Sequence, residues 1–127
     1  MRCYTDSSAA AKLLIEEEES AAFAAWSDRD DVDLVGSDLV ETEIRRLAFR
    51  HAISQTAVTE IMDRIQLHKV ERSVITEAGL LPGPALRSLD ALHLASALHI
   101  GVDLFATYDA RLADAARAVG LEVVAPT

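Results

Sequence analysis

The pattern that most restricts this chain is a regular alternation of short apolar runs with stretches of helical period. Cys3 to Asp6 reads as an extended opening. Leu34–Val35–Gly36 and Asp103 to Thr107 read as buried strands, and Glu122 to Ala125 as the last one. Between them, Ser7 or Ser8 can cap a helix over Ala9 to Ile15, and Glu16 to Glu19 open a second with Ala21, Ala22, Ala25 and Trp26 on its apolar face. Asp38 with Glu41 three residues later fits a capping box for a helix to about His51. Ser54 starts another, with Val58, Ile61 and Ile65 as its stripe, and Val70 to Ile75 reads as a strand or bend. Ser88 caps a helix to His99 closed by Gly101, and Ala110 to Val119 is helical up to Gly120. Strands that alternate with helices need crossover connections, so the chain is expected to form a parallel α/β sheet covered on both faces. Its 127 residues, without repeat or linker, suit a single domain over 1–127.

Composition narrows the function classes. The formal charge is −9, so bulk positive charge cannot be what would bring a nucleic acid here. The excess lies wholly in residues 1–43, while residues 44–89 are locally basic and carry Arg45, Arg46, Arg50, Lys69, Arg72 and Arg87. The single cysteine, Cys3, rules out an internal disulfide and suits a cytoplasmic location. The early Asp6 leaves no room for a signal-peptide core, and no apolar run is long enough to span a membrane.

In open parallel sheets, ligands bind beyond the carboxyl ends of the strands. Four acids fall at such places: Asp6 ends the first strand, Asp109 follows the Phe105 strand, Glu43 lies early in the helix after the Val35 strand, and Asp90 sits in the first turn of the Ser88 helix. Taken singly, each reads as a cap or a surface charge. Gathered at one rim they would repel and raise one another's pKa, a conflict that a hard divalent cation such as Mg²⁺ resolves through oxygen ligands. The pattern alone balances a metal site against separate caps. Thr107 and Ser7 could supply hydroxyls to orient a carboxylate or a water, whereas the histidines and Cys3 form no zinc-type spacing.

Four segments resemble the motifs of the PIN-domain ribonucleases, and in particular the VapC-type toxins of toxin–antitoxin pairs. They are Tyr4-Thr-Asp6-Ser-Ser8, Ser37-Asp-Leu-Val-Glu-Thr-Glu43-Ile-Arg-Arg46, Arg87-Ser-Leu-Asp90-Ala-Leu-His93-Leu-Ala95 and Thr107-Tyr-Asp109-Ala-Arg-Leu112. The resemblance implies a three-layer fold with a five-stranded parallel sheet flanked by helices. It implies an endoribonuclease dependent on Mg²⁺ or Mn²⁺ that hydrolyses RNA phosphodiesters with an activated water. Carried over by position, Asp6 and Asp90 would be the main metal ligands, Glu43 and Asp109 would complete the acidic pocket directly or through water, and Thr107 would be the hydroxyl of the fourth motif. The partners implied are an RNA substrate, a small cognate antitoxin and a second copy in a homodimer, with no membrane.

The serine-to-acid spacing of the resembled motif implies that Glu43, not Glu41, belongs to the pocket, and two residues on a helix are about 200° apart, so both cannot point into it. Arg46 and Arg50, at i,i+4 on the Glu43 helix, are the candidate RNA contacts. His93 is read as a packed histidine, with orientation of Asp90 as its functional alternative. Asp114 is read as an exposed helix acid, and Trp26 with the Val58 stripe as core or subunit interface. Two other classes share the pattern. A catalytically silent PIN-like module would bind without cutting. A signalling receiver would need an acidic pair after the first strand and a lysine after a late one, and this chain has neither.

Overall fold

The computed structural model describes residues 1–127. The chain runs β1 (Arg2–Thr5), α1 (Ser7–Leu14), α2 (Ser20–Ser27), β2 (Asp33–Ser37), α3 (Asp38–Arg50), α4 (Gln55–Met62), β3 (Gln66–His68), α5 (Arg72–Leu80), α6 (Ser88–Ile100), β4 (Leu104–Ala106), α7 (Ala110–Ala118) and β5 (Val123–Val124). The strands form one five-stranded sheet in the order β3-β2-β1-β4-β5, with every neighbouring pair parallel. This is the expected sheet. A receiver-type sheet of the flavodoxin-like kind has the order 2-1-3-4-5 instead.

Alternation along the strands divides the core between two faces. Cys3, Leu34, Leu104 and Ala106 turn to one side and pack with Ala9, Phe23, Val40, Ile44 and Val58 of α1 to α4. Tyr4, Val35 and Phe105 turn to the other and meet Leu94 and Ala97 of α6 and Leu112 and Ala116 of α7. The Tyr4 and Phe105 rings stack, with centroids 5.2 Å apart. The Val58, Ile61 and Ile65 stripe is core, although Ile65 lies past the end of α4. No helix is long and apolar enough to cross a membrane.

Several local expectations are corrected, and most corrections bear on the rim. The strand or bend read at Val70 to Ile75 forms no strand: β3 lies at Gln66–His68, paired with Val35 to Ser37, while Arg72–Leu80 is helical. There Val74 and Ala78, at i,i+4, pack on Ala91 and Ala95 of α6, and that contact overrides the β-preference of Val and Ile. The second helix begins at Ser20, not within the Glu16–Glu19 run. Lys12 pairs with Glu17 and Glu19 across that turn at 3.5 and 2.8 Å. Asp6 itself, not Ser7 or Ser8, caps α1, and Arg87, not Ser88, stands at the N-cap of α6 without a side-chain bond. There is no capping box on α3: Ser37 is the N-cap residue but gives it no side-chain bond, and Glu41 pairs with Arg45 at 2.8 Å.

Candidate active site

Asp6 leaves the end of β1 at the central position of the sheet and is only 3% exposed. A carboxylate so placed must find donors inside the protein. Its Oδ1 accepts from the Ala9 amide at 2.8 Å and from Ser8 Oγ at 2.7 Å, and its Oδ2 from Thr107 Oγ1 at 2.5 Å. Each hydroxyl has one proton to give, so Ser8 and Thr107 act on Asp6 as donors. Their oxygens accept in turn from the amides of Tyr108 at 2.9 Å and Asp109 at 3.1 Å. The ends of β1 and β4 are thereby laced together around one carboxylate. Burial pushes the Asp6 carboxyl above its ordinary value, against the pull of Thr107, Ser8, the Ala9 amide and His93.

Glu43 reaches the rim from α3, whose Val40, Ile44 and Ala48 stripe fixes which face turns inward. Its Oε1 lies 2.6 Å from His93 Nε2, and His93 Nδ1 lies 2.7 Å from the Tyr4 hydroxyl, which contacts Ser37 Oγ at 2.9 Å. Burial would raise Glu43, but His93 outweighs it and holds the carboxyl below its ordinary value. Asp90 is half-buried in the first turn of α6. Desolvation and then the neighbouring Asp109 charge raise it, Glu43 adds to the rise, and His93 and Arg87 pull it back. Asp109 caps α7, its Oδ1 accepting from the amides of Arg111 and Leu112.

The chain therefore brings Asp6, Glu43, Asp90, Asp109 and Thr107 to one end of the sheet. They do not close on a single point: no three His, Cys, Asp or Glu side chains stand close enough together to hold a metal ion as placed. Arg46 and Arg50 are exposed, three and seven residues beyond Glu43 and so on its side of α3, and the Arg46 guanidinium lies over the Phe49 ring at 5.5 Å. Arg45 turns away to Glu41, Gln55 and Thr59.

Comparison with known proteins identifies the family. A PIN domain family model matches residues 3–118. The chain is 40% identical over 131 residues to the ribonuclease VapC35 of Mycobacterium tuberculosis, covering 97% of this chain and 96% of that one. The chain belongs to the PIN-domain family. Solved structures show the same fold at low identity. The sarcin–ricin-loop-cleaving toxin VapC20 of Mycobacterium tuberculosis superposes with a TM-score of 0.75 at 18% identity, over 98% of this chain and 99% of that one. VapBC2 of Rickettsia felis, solved on a fragment of promoter DNA, gives 0.75 at 11% identity over the whole of both chains.

Against this PIN framework, sequence reading had missed or misplaced several rim residues. Ser8, not Ser7, donates to Asp6, while Ser7 Oγ is buried with no hydrogen-bond partner. His93 turns to Glu43, not to Asp90. Tyr4 and Ser37 join the rim only through that histidine, and no spacing in the sequence links them. Arg87 and Arg111 line a groove of about 660 Å³ beside Asp90. Of the two, Arg111 stands inside the fourth motif at the start of α7, and its sequence position gives no sign of the groove it lines.

Proposed function

We propose that this PIN domain, taken as one unit over 1–127, is a metal-dependent endoribonuclease and the toxin of a toxin–antitoxin pair. The observation that carries the reading is the set of acids from β1, α3, α6 and the end of β4, gathered at the strand ends and left without a lysine or arginine salt bridge. Relatives named as VapC ribonucleases cover almost the whole chain and supply the activity class.

The family implies a divalent cation, and the residues present fit one. The donors are all oxygens, Asp90 is raised by like charge from Asp109 and Glu43, and Ser7 Oγ is buried without a partner. Mg²⁺ keeps several waters and takes one or two carboxylates, so a site need not have three protein ligands drawn together. Asp6 and Asp90 would hold the ion, with Glu43 and Asp109 beside them. When bound, Mg²⁺ or Mn²⁺ supplies charge compensation, a lowered pKa for a water and stabilisation of a phosphoryl oxygen.

The chain's own residues do the rest. Thr107 and Ser8 fix both oxygens of Asp6, so that carboxylate is oriented before anything binds. Asp109 caps α7 through Oδ1 alone, which leaves its other oxygen for the pocket. Arg46 and Arg50 offer an exposed cationic edge on the Glu43 side for RNA phosphates, which position the strand without reading its sequence. In this proposal an antitoxin neutralises the chain by covering the rim, the chain pairs with a second copy as a homodimer, and its setting is the cytoplasm.

The test is direct. Purified protein free of antitoxin is incubated with structured RNAs and Mg²⁺, Mn²⁺ or EDTA, beside Asp6→Asn and Asp90→Asn. Cleavage should require the cation and vanish in both variants. Cutting that survives EDTA or both substitutions overturns the mechanism, and an absence of cutting on every RNA favours a silent binding module.

A further inference from the structure

α6 buries an almost wholly apolar surface through Ala91, Leu94, Ala95 and Ala97, and His93 lies within it at 2% exposure. A buried imidazole needs partners for both nitrogens, and here both partners are informative. One is Glu43 of the acidic rim. The other is the hydroxyl of Tyr4, a fully buried residue two positions before Asp6. Glu43 keeps about a third of its side chain exposed, so water could hydrate it without help. The histidine contact is therefore not demanded by burial of the glutamate. What it adds is orientation of a side chain with three rotatable bonds.

The hydrogens can be placed from chemistry. The Glu43 carboxylate is ionised at neutral pH and only accepts, so His93 Nε2 carries a hydrogen. The tautomer with that hydrogen on Nε2 has its lone pair on Nδ1, facing the Tyr4 hydroxyl. Burial holds the Tyr4 hydroxyl proton firmly, so Tyr4 donates to Nδ1 and accepts from Ser37 Oγ. Every group in the chain Ser37–Tyr4–His93–Glu43 is satisfied in one direction. Ser37 stands at the N-cap of α3 yet gives that helix no side-chain bond. Its hydroxyl is engaged with Tyr4 instead.

We infer that His93 is a positioning residue: braced by the Tyr4 hydroxyl, it fixes the Glu43 carboxylate in the acidic rim, so that β1, α3 and α6 present their acids in one geometry. This rests on the nuclease reading above and extends it to residues that make no contact with substrate. Partners of this kind typically alter metal affinity or activity by about 10–100-fold when removed.

Two near-isosteric substitutions separate the roles of the two ring nitrogens. The amide of His93→Gln can reach the Nε2 position and keep the Glu43 bond. That of His93→Asn reaches only the Nδ1 position, keeping Tyr4 satisfied but releasing Glu43. With Tyr4→Phe as a third variant, each full chain is titrated calorimetrically with Mn²⁺ alone, melted without metal, and assayed on a pool of quenched fluorescent RNA hairpins. His93→Asn should lower Mn²⁺ affinity and kcat by about 10-fold or more with KM nearly unchanged. His93→Gln should recover most of that loss, and Tyr4→Phe should fall between them. Melting of the two His93 variants should be alike, which separates positioning from folding.

Equal behaviour of the Asn and Gln variants, in Mn²⁺ binding and in kcat, overturns the assignment, as does a loss that simply follows the melting temperature. A wild-type chain that binds no Mn²⁺ and cuts no hairpin overturns the nuclease reading and this one with it. A wild type that binds and cuts, with both variants unchanged, overturns this one alone.

Discussion

The two ends of the sheet both carry acids and treat them in opposite ways. At the amino ends of the strands, Asp31 is bound by Arg29 through two hydrogen bonds and Asp28 by Arg64 at 2.6 Å, all on exposed side chains. There the amino terminus donates to the Asp31 carbonyl, and Asp103 accepts from the Arg2 amide. At the carboxyl ends, Asp6 is buried among hydroxyls and Glu43 is held by a histidine. Asp90 feels Asp109 more than it feels Arg87. The effect on ionisation divides the same way: Arg29 lowers Asp31, whereas burial raises Asp6 and Asp90. Counting charges cannot tell these ends apart, since the acid-rich first third of the chain contributes to both. The compensation of each charge does distinguish them, and carboxylates without a cationic partner mark the end where the proposed cation would sit.

The strongest way to break this contrast is to neutralise one acid at each end. Asp6→Asn or Asp90→Asn should lower RNA cleavage by at least about 100-fold, because even residues behind the ligands cost up to that much. Asp28→Asn should leave the rate within about twofold, since an exposed pair far from the reaction carries little. Comparable losses at the two ends would dissolve the distinction. Next in size is the substrate edge: Arg46→Ala with Arg50→Ala should raise KM by about 10-fold and flatten its salt dependence, as expected when phosphate contacts are lost. An unchanged salt dependence would remove these arginines from the RNA path.

Thr107→Val keeps the side-chain shape but leaves the buried Asp6 Oδ2 without its donor. It should destabilise the chain by about 1–3 kcal/mol in denaturant unfolding. Arg64→Ala at the opposite end should cost about 0–1 kcal/mol. Matching values would mean that the hydroxyl lacing adds nothing beyond an exposed pair.

The middle of β1 provides a third reference. Burial pushes the Cys3 thiol up to about 12 from its ordinary 9. A raised pKa means that the native state retains a proton the unfolded chain gives up. Its contribution is thus full below pH 9 and lost as pH rises toward 12, with a slope of up to about 1.4 kcal/mol per pH unit. Urea unfolding between pH 8 and 11 reads that slope, and a thiol reagent should label Cys3 only as the chain unfolds. The smallest effect is at Asp31. Arg29 lowers its pKa, so the pair's contribution is present above the ordinary carboxylate value and lost as pH falls through the lowered one. An Arg29→Ala chain should lose less stability than wild type in that acid range.

Much of the fold was legible in the sequence, because a central strand buried on both faces must be a continuous apolar run. Cys3–Tyr4, Leu34–Val35 and Leu104–Phe105 have no other use for their side chains. The errors came where local preference and packing disagree. Val70 to Ile75 has the composition of a strand, but only the small surface of Ala91 and Ala95 across from it selects a helix. Ser37 and Glu41 have capping chemistry, but Tyr4 and Arg45 engage them first.

The site divides along the same line. The sequence by itself determined which acids stand after which strands and helix starts, because the ends of a parallel sheet order them in one dimension. It also shows that the histidines and Cys3 have no zinc-type spacing. Only the tertiary structure decided what each acid touches. His93 lies three residues from Asp90 and fifty from Glu43, and on α6 alone the nearer acid is the natural partner. The packing of α6 across β1 and β2 turns the ring toward Tyr4 and Glu43. Hydrogen-bond partners are set by where surfaces meet across the core, and that distance is not written in sequence separation.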